Sequence, residues 1–189
     1  MNLTSIIGLG NVFLGDDGFG PLAIETFRCK YECSPDVEVL DLGTPGLDLA
    51  PYLYDKRLVI VVDTVHSDSA IGALSIFQEG DFLSERAKLR ITGHDPGLWD
   101  SLAHLRLAGH APLELIIVGV NPESCEFAEP ISEEVWSTAA KAAAMIAKSL
   151  TERGIACGLR RSPAEPNLWW LRMKELESST AASGALTHA

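Results

Sequence analysis

The run Leu58 to Val62, Leu-Val-Ile-Val-Val, constrains the chain more than any other segment. It is too short for a stable helix, and an edge strand would alternate apolar with polar residues. The run therefore reads as a central strand buried on both faces. Such strands belong to parallel sheets covered by helices, which makes the class α/β. Asp63 follows at the carboxyl end of that strand, the edge where open parallel sheets hold their ligands.

The neighbouring segments repeat the scheme. Ser5 to Leu9 is an apolar run closed by Gly8 and Gly10, and a helical pattern follows from about Pro21, with Leu22, Ala23, Ile24 and Phe27 on one side. Val37 to Leu40 predicts a second strand, closed by the turn-rich Asp41 to Gly46, with a short helical stretch from Leu47 to Leu53. Ala73 to Gln78 comes too soon after Leu58 to Val62 for a crossover helix and predicts an antiparallel edge strand. Asp95-Pro96 opens a helix with Leu98, Leu102 and Leu105 on one stripe. Leu115 to Val120 is the last central strand, and Ser132 caps an Ala-rich helix that Gly154 ends.

The expected architecture is a single-domain three-layer α/β/α sandwich. Its sheet is twisted, five-stranded and mostly parallel, with one antiparallel edge strand. The domain spans residues 1–157. Beyond it Pro, Ser, Ala and Thr dominate, so residues 158–189 are expected to form a largely mobile tail, with Leu168 to Met173 the one further packing candidate.

Composition narrows the function classes. A formal net charge of −11 is the wrong sign for phosphate backbones, so no nucleic-acid partner is expected. No apolar run approaches the roughly 20 residues of a spanning helix, and no basic region precedes an apolar run at the N-terminus, so a cytoplasmic protein without membrane insertion is expected. Cys29, Cys33, Cys125 and Cys157 lack metal-ribbon spacing and read as reduced thiols.

Gly8-Leu9-Gly10-Asn11 invites a nucleotide- or dinucleotide-binding reading, but the third glycine of that fingerprint would fall at Phe13. The loop instead runs on to two adjacent acids, Asp16 and Asp17, between Gly15 and Gly18. Asp63 and His94, each ambiguous alone, belong to segments that a parallel sheet brings to the same edge. Two carboxylates and an imidazole suit a borderline divalent ion such as zinc or nickel, and three ligands leave positions open for substrate or water. No zincin spacing is present. His66, His104 and His110 have no such context and read as surface or helix residues.

Four runs together, G-x-G-N-x-x-x-x-D-D-x-x-G from Gly8, D-x-G-T-x-G from Asp41 to Gly46, V-V-D ending at Asp63, and G-H-D-P-G-L around His94, resemble the hydrogenase maturation protease family over residues 3–154. The resemblance implies that Asp17, rather than Asp16, Asp63 and His94 contact a metal, and that Gly43, Thr44 and Gly46 form a substrate-contacting loop. It implies an endopeptidase that removes the C-terminal extension of a nickel-iron hydrogenase large-subunit precursor once nickel is installed. The nickel is carried by the substrate, and no tightly bound cofactor of the enzyme's own is expected. Asp16 or Asp17 would assist proton transfer. The family's D-G-G-T-x-G is interrupted here by Leu42. A cysteine nucleophile is less favoured because no cysteine lies in these runs, Cys125 being the one that folding could bring near. A nickel checkpoint that binds without cutting is the remaining alternative.

Overall fold

A computed structural model of the protein describes residues 3–80, 90–91 and 95–173. Its strands are β1 (Thr4–Leu9), β2 (Tyr31–Cys33), β3 (Val37–Gly43), β4 (Leu58–His66), β5 (Leu74–Gln78), β6 (Arg90–Ile91), β7 (Leu115–Val120) and β8 (Cys157–Leu159). Its α-helices, numbered in chain order, are α1 (Phe19–Lys30), α2 (Ala50–Leu53), α3 (Asp95–Ala108) and α4 (Glu133–Thr151). The main sheet runs β3-β1-β4-β7-β5, parallel except for β5, which pairs antiparallel with β7. The short β6 adds to the end of β4, and β2 with β8 forms a separate antiparallel ribbon.

The period of two along each strand sorts the core into two layers. From β4, Leu58, Ile60 and Val62 face one side, where they meet Phe19, Ala23, Ile24 and Phe27 of α1 and Val135, Ala142, Ala143 and Ile146 of α4. Val59, Val61 and Val65 face the other, against Leu53 of α2 and Leu98, Trp99, Leu102 and Leu105 of α3. The sheet between helical layers is the expected sandwich. Asp63, by its parity, belongs to the α2 and α3 side.

β4 continues to His66, three residues past Asp63, because β7 pairs with it as far as Thr64 and β6 takes up Val65 and His66. Asp63 therefore sits within a buried strand rather than at its exit. Ser132 caps α4 as expected, its Oγ accepting from the Val135 N–H, and Glu133 and Glu134 lie in the first turn where the helix dipole favours them. Among the described residues no helix is long and apolar enough to cross a membrane.

The chain past Gly158 remains engaged for some distance. β8 pairs with β2, the Arg160 N–H donates to the Lys30 carbonyl, and Trp170 is inserted between Leu22 of α1 and Ala139 of α4 at 1% exposure. Its indole N–H has no hydrogen-bond partner among the described residues. Replacing Trp170 with Ala is expected to cost about 3–5 kcal/mol in urea unfolding. Trp170→Phe, which keeps one aromatic ring and deletes the buried unpaired N–H with the rest of the indole, is expected to cost less, about 1–3 kcal/mol. Equal losses would show that the indole is not held by packing.

Candidate active site

The loop between β1 and α1 folds on itself before it can offer anything to a ligand. Gly10 has φ 133°, and a Cβ there would lie 1.8 Å from the Asp17 carbonyl oxygen, so only glycine allows the return. The Asn11 N–H donates to the Asp17 carboxylate at 2.8 Å, the Phe13 N–H to the Asn11 side-chain oxygen at 3.0 Å, and the Asp16 N–H to the Ser124 carbonyl at 2.8 Å. The Leu14 and Asp17 N–H groups are used within the same turn. A phosphate cradle needs such donors unengaged and pointing outward. Here they are spent on the protein itself, which argues against a nucleotide site.

The two adjacent acids have different environments. Asp16 is 1% exposed, and its carboxylate accepts from the Glu123 N–H at 2.7 Å, the Ser132 N–H at 2.6 Å and the Ser132 hydroxyl at 3.0 Å. It thereby ties the β1–α1 loop to the segment after β7 and to the cap of α4. Asp17 is 4% exposed and is bonded within its own loop through Asn11. Asp63 is fully buried, one oxygen accepting from the Thr64 N–H at 2.7 Å.

Cys125 joins this corner. Burial, and then the negative charges of Asp17, Asp16 and Asp63 in that order, push its thiol up to about 12. The parallel pairing of Gly8 with Val62 sets the Gly10 turn, with Asp17 folded back against it, beside the part of β4 that carries Asp63. Cys125 is the cysteine that folding was expected to bring near the acids, and it follows the Asn121-Pro122 turn at the end of β7, on the ligand-binding edge. Asn121 was not singled out. Its side chain accepts from the Ser67 N–H at 3.0 Å and donates to the Ser69 carbonyl at 2.7 Å, holding the chain beyond β4 against the end of β7.

The Asp41 to Gly46 segment borders the same edge. Gly43 and Gly46 carry φ values of 58° and 59°, and the Gly43 carbonyl accepts from the Gly10 N–H at 2.9 Å, while Thr44 is exposed. β1 pairs Gly8 with Asp41 but Leu9 with Gly43, so Leu42 is the extra residue of a bulge. Its side chain packs, partly buried, on the core beneath α2 and α3. At Gly97, near the start of α3, a Cβ would lie 2.3 Å from the Gly46 carbonyl oxygen, so that helix begins in backbone contact with this loop. His94 lies outside the described residues. Among the described residues no trio of His, Cys, Asp and Glu is spaced to hold a metal. His66 and His104 are exposed, and His110 pairs through Nδ1 with Asp55 at 2.9 Å.

An α/β sheet with buried acids clustered at its carboxyl edge defines an enzyme-like site, and comparison with known proteins specifies it. The hydrogenase maturation protease family model matches residues 21–149. The chain is 31% identical over 161 residues, 85% of its length and 78% of the relative's, to hydrogenase expression/formation protein HoxM of Azotobacter vinelandii. It is 30% identical over 151 residues, 79% of its length and 92% of the relative's, to hydrogenase 2 maturation protease of Escherichia coli K12. The solved structure of hydrogenase maturating endopeptidase HybD from E. coli superposes with a TM-score of 0.76 at 29% identity, covering 83% of this chain and 97% of that one. The chain belongs to the hydrogenase maturation protease family, and its activity is that of an endopeptidase.

Asp16→Ala removes the acceptor of four hydrogen bonds, the longest from the Ser124 N–H at 3.5 Å, and is expected to cost about 3 kcal/mol in chemical denaturation; a loss below about 1 kcal/mol would show that the clamp is not structural. Because a thiol raised to about 12 stays protonated until the pH approaches that value, Cys125 is expected to react with iodoacetamide at pH 8 at least about a hundredfold more slowly than an exposed cysteine. Peptide mass spectrometry after timed labelling measures the rate.

Proposed function

We propose that this endopeptidase removes the C-terminal extension of a nickel-iron hydrogenase large-subunit precursor after nickel insertion, and that it recognises its substrate by the nickel. The observation that carries the reading is the burial of Asp17 and Asp63 together at one sheet edge, with α3, the helix that His94 immediately precedes, starting against the Gly43 to Gly46 loop. Carboxylate oxygens grouped in a dry corner suit a divalent cation. An ion seated in the substrate would supply it, and Asp17, Asp63 and His94 would be its protein ligands.

The substrate's nickel, once bound there, lies beside the scissile amide, where a divalent ion polarises a carbonyl or activates a water. Gly43, Thr44 and Gly46 line the approach and offer backbone to the extended substrate. Asp16 acts by position, since its oxygens already hold Glu123 and Ser132, so proton transfer falls to Asp17. Burial and the neighbouring acids hold Cys125 as a thiol, which disfavours it as the nucleophile.

Incubating the purified protein with nickel-loaded and nickel-free precursor tests the reading. The loaded form is expected to release a C-terminal peptide and the nickel-free form to stay intact, as read by intact mass. Asp17→Asn, Asp63→Asn and His94→Ala are each expected to slow release by at least about a hundredfold. Equal cleavage of both precursors would remove nickel recognition, and a His94→Ala protein as fast as the parent would remove the proposed ligand set.

A further inference from the structure

We propose that Cys33 and Cys157 form a redox modification site, a cross-strand dithiol that closes to a disulfide by exchange with a low-molecular-weight disulfide such as oxidised glutathione. The two residues are register partners in the β2–β8 ribbon, and their sulfurs are 2.8 Å apart. On either side the ladder bonds run from the Ser34 N–H to the Ala156 carbonyl at 2.9 Å and from the Arg160 N–H to the Lys30 carbonyl at 2.8 Å. Hydrogen-bonded pairs alternate along an antiparallel ladder, so Cys33 and Cys157 occupy a non-hydrogen-bonded pair. There the Cα atoms stand about 4.5 Å apart, inside the span a disulfide bridges, and bond formation needs only side-chain rotation.

An oxidant can reach them. Both thiols line an open cleft of about 680 Å³, together with Glu32, Ser34, Gly154 and Gly158. A Cβ at either of those glycines would meet nothing within 4 Å, so the cleft is open there, while the two cysteine side chains are half-buried against the core. Cys29 and Cys125 do not line this cleft.

The order of attack follows from the hydrogen bond between them. Cys33 donates to the Cys157 sulfur, which holds the Cys33 proton and eases loss of the Cys157 proton, while burial raises both thiols. The Cys157 thiolate attacks one sulfur of the small disulfide and expels the first small thiol. Cys33 then gives up its proton, attacks the Cys157 sulfur of the mixed disulfide and expels the second. Two protein thiols and one small disulfide become one protein disulfide and two small thiols. Burial makes the exchange slow at neutral pH and faster in alkali.

The bond would fasten the chain beyond α4 to the chain beyond α1. It would do so away from the acids, since the Thr4 N–H, at the start of β1, bonds to the Asp36 carbonyl just after the ribbon. The active site lies at the other end of the same strand.

The test treats the full chain with oxidised glutathione at pH 8.5. Loss of two of the four thiols, an intact mass lower by about 2 Da, and a non-reduced peptide linking Cys33 to Cys157 are expected. The oxidised form is expected to melt roughly 5–15 °C higher, because a long loop is closed. Cys33→Ser should stop at the mixed disulfide, about 305 Da heavier on Cys157. Four intact thiols after prolonged exposure, a disulfide joining other cysteines, or a Cys33→Ser protein without the adduct would overturn the proposal. An unchanged or lower melting temperature would overturn the stabilising role.

Discussion

A carboxylate taken out of water must be given donors or a cation, and three of them are buried at one edge of this sheet: Asp16, Asp17 and Asp63 at 1%, 4% and 0% exposure. Much of the local architecture answers that demand. The β1–α1 loop turns back so that the Asn11 N–H reaches Asp17, and the segment after β7 arrives so that Glu123 and Ser132 reach Asp16. Ser132 is also the cap of α4, so one hydroxyl oxygen serves both the helix and the acid. The donors found for Asp16 bind it into the fold, and in the proposed function the metal ligands are instead Asp17 and Asp63. Two adjacent residues with the same side chain are thereby given different work.

The apolar sheet makes this tolerable. With β1, β4 and β7 buried on both faces, strand parity decides which helical layer each side chain meets, and Asp63 shares the parity of Val59, Val61 and Val65. That puts it on the side of α3, whose first turns rest on the Gly46 backbone. A bulge accommodates Leu42, the residue that interrupts the Asp41 to Gly46 motif. The extra residue turns its side chain into the core, and Gly43 keeps its register with the end of β1.

Much of this was legible in the sequence because periodicity and turn chemistry are local. Leu115 to Val120 falls where its apolar run says, the antiparallel strand is Leu74–Gln78, and Ser132 is a cap. What was not legible depends on contacts between distant segments. β2 and β8 are too short to show a period, and each exists because the other does. The extension of β4 to His66 needs partners from β6 and β7. Trp170 lies in the one tail segment expected to pack, Leu168 to Met173, but only the fold supplies the slot between α1 and α4 that receives it. Asp16 and Asp17 are told apart in the sequence by the family resemblance alone; the physical difference is the arrival of Glu123 and Ser132 from over a hundred residues away.

The shared hydroxyl of Ser132 also bears on how such a site could be moved. A glycine loop with two acids looks like a portable cassette, short and continuous between one strand and one helix. Its second carboxylate is shaped by its own turn, but its first is completed by a helix cap more than a hundred residues further along the chain. Grafted alone into another α/β scaffold, the loop would carry a buried charge with no donors to meet it. The smallest transplantable unit is discontinuous: the loop, the turn that follows β7, and the first residues of α4.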